Sequence, residues 1–280
     1  MRSVPYGNAR RFTYIGSYLH GTFMDLTTTL DVESRELPQN PQPLRWGPWA
    51  TLGWGVPLAA SAILSQTLGA FGFVMWWRFL HPDQPITRDD IATNGPLLAF
   101  ALAVSAPIVI GLLAIVVRAS RVSLREYLAL KWPRWRDFGI GAAALAGVLL
   151  ATGAVAGWTG QETPEFMGDT YNSAKAAGLL PLLMASFVFL GPLQEELLFR
   201  GFFFRGFLPA LGVWPTIILT SAAWAFTHVQ YQWFFVGEIF ALGMVFGWLR
   251  WRSGSTILTI VLHAAVNGMA LVEVANLPGS

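Results

Sequence analysis

Two carboxylates, an arginine, two histidines and an amide fall inside stretches too apolar to form a water-facing surface. "LGPLQEELLFRGFFFRG" (190–206) carries Glu195, Glu196 and Arg200, "WAFTH" carries Trp224 and His228, and "HAAVN" carries His263 and Asn267. On a helix, side chains four apart share a face, and a glutamate N-terminal to its cation is the better order. Glu196 and Arg200 therefore read as an ion pair. Glu195 lies about 100° round the helix and has no cation at the matching spacing, only Leu198 and Phe199. One acid is neutralised within its own helix and the other is left to face something else. Ionisable residues within a membrane are costly and mark functional sites by default. Either histidine or Asn267 alone reads equally as hydrogen-bonding glue between helices. An unpaired acid, two imidazoles and an amide on three helices together point to acid–base chemistry.

The elements that position these groups follow from composition. Of 280 residues, 54% are hydrophobic and only 12% charged, against about 25% charged in soluble domains, and the mean hydropathy is +0.49. The expectation is an all-α, polytopic membrane protein. Cysteine is absent, which excludes disulfides, thiolate metal sites and cysteine nucleophiles. The net charge of +2 is too small to suggest nucleic acid. Apolar runs near the ~20 residues needed to cross a bilayer occur at 52–77, 95–117, 138–158, 179–199, 214–228, 234–248 and 255–274, giving about seven transmembrane helices. Residues 1–50 read as a cytoplasmic or interfacial segment without a signal-peptide core, and 51–280 as the membrane domain. The basic, aromatic stretch 121–138 reads as a short helix on the membrane surface or as a charged loop. Placing the N-terminus inside puts fifteen of the 18 Lys and Arg on the inner side, as positive-inside topology requires. Gly191 and Pro192 predict a kink that frees the Val188 carbonyl. Glu238 reads as structural or peripheral, and Phe202, Phe203, Phe204 and Phe207 as packing or lipid-facing.

The pattern Glu-Glu-x-x-x-Arg, aromatic-x-x-x-His and His-x-x-x-Asn resembles the CAAX-protease and bacteriocin-processing (CPBP) group of intramembrane proteases, which includes the type II prenyl-protein endopeptidases. The resemblance covers about residues 180–275. It implies Glu195 as the catalytic glutamate, His228, His263 and Asn267 as its partners, and Glu196, Arg200 and Trp224 in support. Trp224 departs from the phenylalanine usual in the family. Implied with these roles are hydrolysis of membrane-associated peptide or protein substrates, prenylated or not, a polar cavity opening to the cytoplasm, and a bacterial inner-membrane location. In that chemistry Glu195 takes a proton from water and Asn267 offers an N–H to the oxyanion. Glu195, His228 and His263 would equally suit Zn²⁺ or another divalent metal, so a metal-bound and a metal-free glutamate mechanism both stand. The rival class is a non-enzymatic immunity or binding protein on the same scaffold. One tension is geometric. At ~1.5 Å per residue, Glu195 and His263 fall about 9 and 12 Å from the inner edge of a ~30 Å core, but His228 falls about 21 Å deep. The fifth span must tilt or begin later.

Overall fold

The computed structural model describes residues 47–83, 86–87, 91–162 and 164–276. Of the segment expected at 1–50, only 47–50 fall among them, and these already open the first helix. The described residues are helices and turns, with no strand among them. In order they are α1 Pro48–Leu80, α2 Gly95–Ala119, the one-turn α3 Leu124–Tyr127, α4 Trp135–Thr159, α5 Glu165–Ala176, α6 Leu180–Leu211, α7 Val213–Phe226, α8 Trp233–Ser253 and α9 Thr256–Ala275. Six of them (α1, α2, α4, α6, α8 and α9) are long and apolar enough to cross a membrane. The seventh expected span, α7, has 14 residues, about 21 Å of rise against a ~30 Å core. The protein is a polytopic all-α membrane protein with six helices of spanning length and one shorter apolar helix.

Local chemistry sets the helix ends. Asn94 caps α2 by accepting from the Leu97 N–H at 2.9 Å, with Pro96 in the first turn, where its missing N–H costs nothing. Ser255 caps α9 the same way through Leu258. α8 stops at Gly254, whose φ of +63° is left-handed backbone that glycine adopts without a Cβ penalty.

Small polar residues hold helices together where the hydrophobic effect gives no drive between them. Ser65 of α1 donates to Ser105 of α2 at 2.9 Å, and Ser186 of α6 donates to the Ala99 carbonyl of α2 at 2.8 Å. Ser173 ties α5 to the start of α2, accepting from Gly95 and donating to the Thr93 carbonyl.

The stretch 121–138 is neither a surface helix nor a free loop. Only Leu124–Tyr127 and, from Trp135, the first turn of α4 are helical, Tyr127 and Leu128 are buried, and the backbone between is pinned to the start of α9. Thr256 donates through its hydroxyl to Leu128 and through its N–H to Ala129, while the Ser255 hydroxyl donates to Lys131. Arg252 pairs with Asp137 at 2.7 Å. The basic loops and the ends of α4, α8 and α9 are thereby gathered at one end of the bundle.

α6 runs unbroken through the boundary expected near residue 199, so Arg200 and Arg205 lie inside a helix rather than in an inner loop. Its backbone widens twice to π geometry, at Ala185–Leu190 and Leu197–Phe203, on either side of Gly191–Glu196. Phe202, Phe204 and Phe207 are packed inside. Near its C-terminal end, α6 meets α1 through Gly206, where an added Cβ would sit 2.1 Å from the Thr51 hydroxyl oxygen. Gly206→Ala should cost about 1–3 kcal/mol through overpacking, read as a lower detergent melting temperature; an unchanged melting temperature would show that α1 is not seated on this glycine.

Candidate active site

The site is built round one buried ion pair. Arg200 Nη1 donates to Glu196 Oε1 at 2.9 Å, and neither side chain reaches the surface. A second guanidinium donor, Nη2, reaches the Gly243 carbonyl of α8 at 3.1 Å, and the guanidinium carbon lies 4.6 Å from the centre of the Trp224 ring. Gly243 makes this approach possible, since a Cβ there would lie 3.0 Å from Ser221 Cβ and 3.1 Å from the Trp224 indole.

The same Glu196 oxygen binds His263 Nδ1 at 3.0 Å. A salt-bridged carboxylate only accepts, so Nδ1 carries the proton and Nε2 is turned to Glu195, 4.0 Å from Oε2. Trp224 Nε1 donates to that same Oε2 at 2.5 Å, a bond that phenylalanine could not make. The Trp224 indole also meets the rings of His228 and His263 edge-on, with centroids at 5.3 and 5.1 Å. His228 Nδ1 lies 3.0 Å from the Trp224 carbonyl. A carbonyl likewise only accepts, which leaves Nε2 of His228 without a proton in the neutral ring. The acid without a cation thus faces an indole N–H and an imidazole.

Asn267 is placed differently from the expectation. Its Nδ2 donates to the Phe187 carbonyl at 2.9 Å. Proline has no N–H, and in the i→i−5 pattern of a π segment the carbonyl that Pro192 fails to satisfy is Phe187's. Pro192 frees a carbonyl as expected, but π geometry shifts it one residue from Val188.

Glu195, Trp224, His228, His263 and Asn267 all line one cavity of about 1200 Å³. Glu238 lines it too. Gln161, Gln230, Glu238 and Glu273 stand towards one end, with Gly55, Leu58, Phe199 and Phe203 towards the other. The polar end is formed by the last turns of α4 and α9 and the first turns of α8, opposite the ends that carry the basic loops.

The donor set does not close round a metal. Among the described residues no three His, Asp or Glu groups converge at ligand geometry. Glu195 Oε2 is already bonded to the Trp224 indole.

Residues 177–269 match the family model described as "Type II CAAX prenyl endopeptidase Rce1-like". This stretch is similar to Rce1-like domains. An uncharacterised 24.3 kDa protein of Escherichia coli is 29% identical over 110 residues, which are 38% of this chain and 50% of that protein. The chain thus spans about half the length of the curated relative it matches. No solved structure matches significantly.

The matched stretch runs from the approach to α6 into α9 and supplies all the motif residues, while α1, α2 and α4 add cavity wall from outside it. Sequence reasoning missed Tyr231, which lines the cavity beside His228. Burial, with the Glu195 charge adding to it, pushes its phenol up to about 12. The i,i+3 spacing of "HVQY" was the available signal, masked by the end of the apolar run. Gln194 was also missed; it is buried against the same cavity. The geometry makes Asn267 a backbone prop. Asn267→Ala should cost about 1–3 kcal/mol by stranding the Phe187 carbonyl, measured by chemical or thermal unfolding in detergent; stability equal to the parent would mean the bond is dispensable.

Proposed function

We propose that this chain is an intramembrane endopeptidase that hydrolyses peptide bonds of membrane-associated substrates, with Glu195 as the base. The observation that carries the reading is the gap between Glu195 Oε2 and His263 Nε2, 4.0 Å wide and open to a large cavity within the membrane-spanning bundle. A water seated there can hydrogen-bond both groups. As its oxygen attacks the scissile carbonyl carbon, its proton passes to Glu195. Collapse of the tetrahedral intermediate breaks the C–N bond, and the amine leaves with a proton returned from Glu195. Positioned proton transfer of this kind contributes typically ~10²–10⁴-fold. Glu196 and Arg200 hold His263 in the orientation that faces Glu195, and Trp224 holds the carboxylate. His228, with Nε2 unused, is placed to bind the substrate or the leaving group.

Support for the reaction class comes from the Rce1-like match, whose family is generally proteolytic. Substrate choice follows from the cavity, whose walls away from the polar groups are largely apolar and suit a lipid-modified peptide such as a prenylated CAAX sequence. The parent protein should cleave a farnesylated CAAX peptide faster than the unmodified one, with products identified by mass spectrometry. Glu195→Gln should abolish turnover at nearly unchanged stability, because the amide keeps the shape but takes no proton. Glu196→Gln should cost stability as well, of the order of 3–5 kcal/mol, since it strands Arg200. Full turnover by Glu195→Gln would give the base to another group, and binding without turnover by the parent would favour the non-enzymatic scaffold.

The protein sits in a cytoplasmic membrane with its basic end inside, a reading supported by the clustering of Arg118, Arg121, Arg125, Lys131, Arg134, Arg136 and Arg252 at one end of the helices. The polar mouth then faces the opposite side. The chain has no cysteine, so single cysteines report cleanly. An impermeant maleimide applied outside intact cells should label Gln161→Cys and not Arg134→Cys; the reverse pattern would invert the topology.

A further inference from the structure

Hydrolysis by the proposed route places negative charge on the carbonyl oxygen, and a donor must meet it. The donors nearest Glu195 are mostly spent. Trp224 Nε1 is bound to Glu195 itself, His263 Nδ1 to Glu196 and His228 Nδ1 to the Trp224 carbonyl. Arg200 is buried behind Glu196, and Asn267 gives one of its two amide hydrogens to the Phe187 carbonyl. Tyr231 is different. It lines the cavity with Glu195 and His228, and its hydroxyl makes no hydrogen bond to a described residue.

Its ring is nonetheless held. It lies nearly parallel to His228, centroids 6.3 Å apart with planes at 17°, and Phe166 of α5 meets it edge-on at 5.3 Å and 85°. Its backbone N–H donates to the His228 carbonyl at 3.1 Å, closing the turn after α7. A phenol fixed by two ring contacts, with its O–H uncommitted, pays little reorganisation when charge develops beside it. We propose that Tyr231 is a catalytic hydrogen-bond donor that stabilises the tetrahedral oxyanion, acting across the cavity from Glu195. This rests on the hydrolytic reading above. The oxyanion forms as the water oxygen bonds to the carbonyl carbon, the Tyr231 proton stays on the phenol throughout, and the C–N bond then breaks as described.

The test compares the full-length parent, Tyr231→Phe and a protein with 3-fluorotyrosine at position 231, all in detergent with the farnesylated peptide. Phenylalanine keeps both ring contacts and removes only the hydroxyl. Expected for Tyr231→Phe are a kcat lower by about 10²-fold, KM within twofold and an unchanged melting temperature. The inhibition constant of the matching peptide aldehyde, whose hydrate imitates the tetrahedral intermediate, should weaken in parallel with kcat/KM, because only transition-state binding is lost. The fluorotyrosine protein, which keeps the hydroxyl, should retain turnover. Parent-like kcat in Tyr231→Phe overturns the inference alone, as does a loss confined to KM or accompanied by a lower melting temperature. No turnover by the parent overturns the hydrolytic reading and this inference with it.

Discussion

The fold's central constraint is a charge pair that has nowhere to go. Glu196 and Arg200 are fully buried in the middle of a helix long enough to cross the membrane, and removing either from water costs several kcal/mol unless partners satisfy it. The partners come from three other helices. α8 brings the Gly243 carbonyl, α7 brings the face of Trp224, and α9 brings His263. Two of these contacts also deliver a group to the cavity. The indole that covers the guanidinium bonds Glu195, and the imidazole that bonds Glu196 turns its other nitrogen towards the same acid. A polar knot required by electrostatics thus fixes the geometry of the neighbouring carboxylate.

The two π segments of α6 serve the same end. Each offers a carbonyl to a side chain from another helix, Phe187 to Asn267 of α9 and Arg200 to Arg250 of α8 at 2.9 Å. Inside a bilayer such carbonyls must find protein partners, because no water is present to satisfy them. The widened turns therefore dock α8 and α9 against α6 at fixed heights. Pro192 explains the first of them. We have no comparable single-residue cause for the second, although Gly201 lies within it and packs closely on Leu128.

Much of this was legible from residue spacing. The i,i+4 rule found the Glu196–Arg200 pair, and the distinction between the two acids survives in the structure, one salt-bridged and one facing the cavity. Hydropathy found the six helices of spanning length and counted as a seventh the run of α7, whose helix has only 14 residues. What sequence left open were facts of three dimensions. Local spacing cannot show that Glu196 would hold His263, that Trp224 would donate to Glu195, or that Asn267 would be drawn to a carbonyl eighty residues away. The end expected for the fourth span at 199 was misplaced because Arg200 and Arg205 look like the start of a loop; what keeps Arg200 inside a membrane-spanning helix is its buried partner Glu196.

That misplaced end accounts for the depth discrepancy of His228. With α6 continuing to Leu211 before the chain turns at Gly212, Glu195 stands about 24 Å along the axis from the turn. His228, fifteen residues after Val213, stands about 22 Å from it, counted at the same rise. The two are level, and no tilt of α7 is required to bring them together. The shortness of α7 then acquires a reason. A helix continuing to full span would have carried the backbone straight past the site. Instead, Thr227 and His228 turn their side chains back on the Trp224 carbonyl, satisfying one of the carbonyls that a helix end leaves without partners. The chain is released into the turn that stacks Tyr231 on His228. Ending a helix inside the membrane is tolerable only where its backbone lines protein or a water-filled cavity, so the early stop of α7 and the polar cavity require each other.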